Sequence, residues 1–100
     1  MLKHIVSWTL KDHAEGADKA TNIKLMVEKL ESCRGIVPGM HAFEVSTATE
    51  GLEFSADISL YSEFDSREAL AAYQVHPTHK AILPFVGAVR EGRSCLDYEV

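Results

Sequence analysis

No stretch of this 100-residue chain is both long and apolar. The longest candidate, Ala81 to Val89, is broken by Pro84 and is too short to cross a bilayer. The opening segment, Met1 to Leu10, alternates in polarity and shows no basic stretch before an apolar run, so it does not read as a signal peptide. Cysteine is scarce as well. Cys33 and Cys95 stand far apart with no C-x-x-C spacing, which gives no disulfide framework and reads as two reduced, mostly buried thiols in a cytoplasmic protein, with a single bridge between them left open. Positive charge is also in short supply. Ten Lys and Arg face fifteen Asp and Glu, a formal charge of −5, and the basic residues are scattered. That argues against nucleic acid and against anionic membrane surfaces as partners. No G-x-S-x-G and no glycine-rich phosphate loop occurs, and neither cysteine sits beside an evident base.

What the chain does contain is enough apolar material, 46% of its residues, for one core, and its length allows no second. Residues 1–100 therefore read as a single domain. Leu2 to Leu10 reads as a strand, with His4, Val6, Trp8 and Leu10 on one face and Lys3, Ile5, Ser7 and Thr9 on the other. From about Ala17 to Cys33 the period turns helical, with Ala20, Ile23, Met26, Val27, Leu30 and Cys33 as the inward stripe. Gly35 and Pro38-Gly39 mark the turn that follows.

A second strand is expected over His41 to Thr47 and a third over Phe54 to Tyr61, joined by the turn-like Thr47 to Gly51. Asp65-Ser66-Arg67-Glu68 starts a helix, with Asp65 as its cap and Glu68 completing a capping box. Ala69, Leu70 and Tyr73 point inward. His76 precedes Pro77, a pair that breaks the helix and starts another. The new helix runs through Val89, kinked at Pro84, with Gly92 ending it and Ser94 to Val100 forming a last strand. The order β-α-β-β-α-β predicts an α+β, ferredoxin-like domain: a four-stranded antiparallel sheet with helices on one face. The other face, mostly polar but holding Ile5 and Tyr61, meets either water or a second copy of the chain.

At this point particular residues become recognisable. Met1-Leu2-Lys3-His4-Ile5-Val6, Ser62-Glu63-Phe64-Asp65-Ser66, the segment Tyr73-Gln74-Val75-His76-Pro77-Thr78-His79 and the ending Asp97-Tyr98 together resemble the Dabb family, the stress-responsive dimeric α/β barrels. The resemblance spans essentially the whole chain. It implies a homodimer whose two sheets meet in a barrel, with helices outside. Family functions are diverse. One branch, the plant polyketide (olivetolic acid) cyclases, closes a linear polyketide with a Tyr and a His and needs neither metal nor organic cofactor. The resemblance carries those catalytic roles onto Tyr73 and His79, and the strand histidine of that site onto His4. Other members are heat-stable stress proteins without an assigned reaction.

Periodicity alone brings the same residues together. His4 and Trp8 share the helix-facing side of the first strand, Tyr73 lies on an inward stripe, and His79 falls in the first turn after Pro77. Polar groups converging on apolar space are the usual make-up of a small-molecule site. An imidazole takes an acidic carbon-bound proton near pH 7, a phenol donates to the developing oxyanion, and a helix N-terminus favours the neutral base. Each residue also has a plainer reading. His4 suits a hydrogen-bonded core position, Tyr73 a core aromatic with its hydroxyl at the surface, and His79 a partly exposed helix start. His76 is expected to fix its turn by hydrogen bonding, while His13 and His41 carry no signal. His76 and His79 lack the register of a zinc motif and no third ligand is evident, so no metal is expected. The expected partners are a second copy and a small apolar or aromatic carbonyl compound bound by His4, Trp8, Tyr73 and His79. The alternative is a non-catalytic, stress-responsive oligomer.

Overall fold

The computed structural model describes residues 1–100. Its elements run β1 (Leu2–Leu10), β2 (His13–Ala14), β3 (Ala17–Asp18), α1 (Lys19–Glu31), β4 (Met40–Thr47), β5 (Ile58–Phe64), α2 (Arg67–Val75), α3 (Pro77–Val89) and β6 (Arg90–Glu99). The four long strands form an antiparallel sheet in the order β4-β5-β1-β6. That is the ferredoxin-like arrangement expected from the sequence, with β1 and β5 central.

In β1 every even-numbered residue from Leu2 to Leu10 is buried and every odd-numbered one is only half-buried. The buried side meets the helices through one hydrophobic cluster of 17 residues that includes Trp8, Met26, Leu30, Phe64, Tyr73 and Val86. Each large apolar side chain so enclosed contributes about 1.5–3 kcal/mol.

Several boundaries differ from those expected. The third strand is Ile58–Phe64, not Phe54 to Tyr61. Asp57 ends the ladder by accepting the Leu10 amide on its side chain, at 2.8 Å. Phe54, beyond it, has no layer to face and is exposed. At the other end Ser62 and Phe64 pair with His4 and Leu2, so residues that look turn-like are central strand. Helix α1 begins after Asp18, whose carboxylate accepts from the Thr21 amide at 2.8 Å. Its buried stripe is Asn22, Met26 and Leu30, with Ala20 exposed. Asn22 is buried because its amide donates to the Ala14 carbonyl at 3.0 Å, tying α1 to the small β2–β3 hairpin. That hairpin turns on Glu15 and Gly16, both at positive φ, the geometry of a two-residue turn.

Helix α2 is capped by Ser66, which accepts from the Ala69 amide, instead of by Asp65, whose carboxylate is bound to His41. His41, which carried no signal in the sequence, thus holds β4 to the start of α2. Helix α3 continues through the exposed Pro84 and ends at Val89; Arg90 is already extended. Gly92 does not end a helix. It lies in β6 opposite Thr9, where a Cβ would come within 2.9 Å of the Thr9 hydroxyl.

Candidate functional site

The strand-and-helix order leaves a hollow of about 300 Å³ between the covered side of the sheet and α3. His4 and Trp8 reach it from β1, Tyr73 from the last turn of α2 and His79 from the first turn of α3, so all four residues singled out in the sequence line one cavity. Leu30, Ile82 and Val86 supply apolar wall.

His76 makes this convergence possible. Its extended backbone separates α2 from α3, and its Nδ1 accepts the Thr78 amide at 3.1 Å, so the ring caps α3 as a serine would. The expected turn-fixing role is what the structure contains, and it leaves that ring committed to the backbone. His79, one helical turn on, is placed against Tyr73 with ring centroids 4.6 Å apart. Its Nδ1 donates to the Gln74 carbonyl at 3.1 Å, which leaves Nε2 as the basic nitrogen. Burial holds the His79 pKa below its ordinary value, the Gln74 carbonyl pulls the other way, and the nearby His4 lowers it further. The neutral bias expected at a helix start is present, and its main cause is desolvation.

His4 is buried beneath the sheet's neighbours, and its Nδ1 is hydrogen-bonded to the Asp97 carboxylate directly across from it on β6. His4 thus occupies a hydrogen-bonded core position and also lines the cavity. The Cys95 thiol donates to the same carboxylate at 3.7 Å, and the ligand atoms of His4, Cys95 and Asp97 all lie within 4.8 Å of one another. The His4–Asp97 hydrogen bond already uses two of these groups, so the trio acts first as a brace for the imidazole. Cys33 is buried, Cys95 exposed, and both are free thiols.

Tyr73 is almost fully buried, and its hydroxyl makes no hydrogen bond. Desolvation, with the Cys33 thiol beside it, raises its pKa far above the ordinary phenol range. The phenol is therefore held as a protonated donor. Trp8 shares the feature: its indole Nε1 is buried without a partner. Buried donors left unpaired are uncommon and each costs about 1–3 kcal/mol.

Sequence reasoning missed Asp97 as the brace of His4, Gln74 as the carbonyl that fixes His79, and Arg90 and Arg93, which also line the cavity. Only Asp97 had a usable signal, because antiparallel pairing of the first and last strands sets it opposite His4. Another hollow, of about 400 Å³, lies beside the loop at residues 48–57; serine and threonine hydroxyls line it, with no imidazole or phenol.

A family model described as "Stress responsive A/B Barrel Domain" matches residues 2–100. No curated protein matches the chain in sequence. Among solved structures, a dimeric protein of unknown function and ferredoxin-like fold from Bacteroides fragilis is 30% identical, with a TM-score of 0.81 over 99% of this chain and 95% of that one. A Dabb family protein with a ferredoxin-like fold from Mesorhizobium loti is 24% identical, with a TM-score of 0.68 over 99% and 95% of the two chains. An antibiotic biosynthesis monooxygenase shares the fold at 18% identity and a TM-score of 0.74, covering 100% and 98%. No helix of the chain is long and apolar enough to cross a membrane.

Proposed function

The chain belongs to the stress-responsive A/B barrel (Dabb) family, and from that premise we propose that it is a homodimer in which each copy binds a small apolar or aromatic carbonyl compound in the cavity under α3. The observation that carries this reading is the constellation around His79: a neutral imidazole, fixed by Gln74, on the wall of a cavity of about 300 Å³. The unpaired donors of Trp8 and Tyr73 point to the ligand class, because an acceptor oxygen is what each lacks. Both atoms are closed to water, so a ligand oxygen reaches them by a small displacement of the side chains. The dimer rests on the open side of the sheet, where Ile5 and Leu96 stand opposite each other among polar residues, and on the dimeric relatives. A two-fold pair buries the same patch on both copies.

In its catalytic form the proposal needs no cofactor. His79 Nε2 takes a proton from the carbon next to the carbonyl, the electron pair moves onto the carbonyl oxygen, and the Tyr73 hydroxyl donates a hydrogen bond to that oxygen. Attack of the resulting enolate on a second carbonyl of the same molecule would be the cyclase-like step. A non-catalytic reading, a stress-responsive oligomer that holds its ligand unchanged, is favoured by one observation: the Tyr73 hydroxyl is sealed beside Cys33.

The test uses 4′-butylacetophenone. Adding it should shift the His79 ring and Trp8 indole resonances, and in D₂O its methyl protons should exchange. His79→Ala should slow that exchange by roughly 10²–10⁴-fold. Binding without exchange selects the non-catalytic reading. A His79 ring that titrates like a free surface imidazole and ignores the ketone removes the site altogether.

A further inference from the structure

The chain has four arginines, and they divide into two kinds. Arg34 is paired with Glu31 at 2.8 Å and Arg67 with Glu99. Arg90 and Arg93 make no ion pair, and both line the cavity under α3. The cavity wall contains no Asp or Glu, although acids outnumber bases 15 to 10 in the chain as a whole. Two guanidiniums without an ion-pair partner, beside a wall without a carboxylate, leave that end of the hollow positively charged. The nearby Asp97 carboxylate is already engaged by His4 and Cys95. Arg90 has a partial structural reason for its place, since it caps the negative end of α3. Arg93 has none of that kind: it sits in β6, opposite Trp8.

Position along the sheet adds a second constraint. His4 and Trp8 are both on the covered side of β1, and at ~3.3 Å per residue they stand roughly 13 Å apart along the strand. The imidazoles therefore occupy one end of the hollow and the guanidiniums the other. We propose that Arg90 and Arg93 form an anion subsite, so that the ligand is an elongated acid with its carbonyl toward His79 and its carboxylate on the two guanidiniums. This deepens the function proposed above and rests on it, because it takes the cavity to be the ligand site. A planar guanidinium suits a carboxylate through paired N–H donors. An apolar body between the two ends would lie against Trp8, Ile82 and Val86.

The test compares 4-(4-acetylphenyl)butanoate with 4′-butylacetophenone, which has the same aromatic ketone and nearly the same length but no charge. At low salt the acid should bind about tenfold more tightly, as expected for two partly exposed ion pairs. Arg90→Gln together with Arg93→Gln should abolish that preference, so that the acid and the ketone bind the double variant with equal affinity. Both residues are exposed, and circular dichroism with a urea midpoint verifies that the double variant is folded. Equal affinity for the two probes in the unmodified protein overturns the subsite, as does a preference that survives the double variant. If the ketone still moves His79 in those cases, the cavity reading stands alone. If neither probe moves His79, the cavity reading falls and takes the subsite with it.

Discussion

The two sides of the sheet are built by the same strands yet have little else in common. Along β1, His4, Val6 and Trp8 lie under the helices, while Ile5, Ser7 and Thr9 alternate with them on a side that no helix covers. The covered side encloses imidazole, indole and phenol in apolar surroundings, where burial lowers the pKa of His79, raises that of Tyr73 and leaves the Trp8 indole N–H and the Tyr73 hydroxyl unpaired. The open side carries hydroxyls and a half-buried ion pair, Lys3 with Glu63. Alternation supplies both sides equally; the helical cover is what turns one of them into a place for chemistry.

The largest test of this contrast is Phe64→Ala. Phe64 is fully buried on the covered side, and its loss should lower unfolding stability by about 3–5 kcal/mol in urea titration. A loss below 1 kcal/mol would falsify the picture of one tightly packed side. On the open side, the proposed dimer predicts that Leu96→Asp leaves the fold intact and weakens association on the order of a hundredfold, since it sets an unpaired charge in the patch the two copies would share. Sedimentation should show a single chain's mass at micromolar concentration; an unchanged mass would place the dimer contact elsewhere.

Smaller effects sharpen the boundary of the site. His76→Ala removes the cap of α3 and should cost about 1 kcal/mol, while His76→Asn should retain most of it. Equal stability of the two variants would deny the capping role. The smallest effect concerns pH. The folded His79 has a pKa below the ordinary 6.5, so the unfolded chain binds the proton more readily. The contribution of this residue is constant above that value and stability falls as pH drops through it toward the lower folded pKa. His79→Gln should flatten this part of the acid-side slope, and an identical slope in the variant would show the ring to be freely solvated.

How much of this was legible in the sequence differs from element to element. The first strand was read to its correct ends because it alternates without interruption over nine residues. The third strand slipped: Phe54 and Ala56 continue the alternation in phase, and only the Asp57 side chain, by taking the Leu10 amide, stops the ladder. The cap of α2 moved by one residue because Asp65 is engaged by His41, a contact between positions 24 residues apart. Asn22 in the core was invisible for the same reason, since its partner is a carbonyl in the hairpin before the helix. At the site, His4, Trp8, Tyr73 and His79 were found by periodicity and resemblance, whereas Gln74 acts through its backbone and leaves no mark in residue type.

The sequence by itself determined the order of elements, the side of the sheet that is buried and the break at His76-Pro77, because each depends on neighbours a few residues away. Tertiary structure alone decided that the Gln74 carbonyl fixes His79, that the Tyr73 hydroxyl is buried beside Cys33, and that Arg90 and Arg93 stand unpaired at one cavity. Those outcomes depend on distances between segments far apart in the chain. Hydrogen bonds and charges act over a few ångströms in space, whatever the separation in sequence.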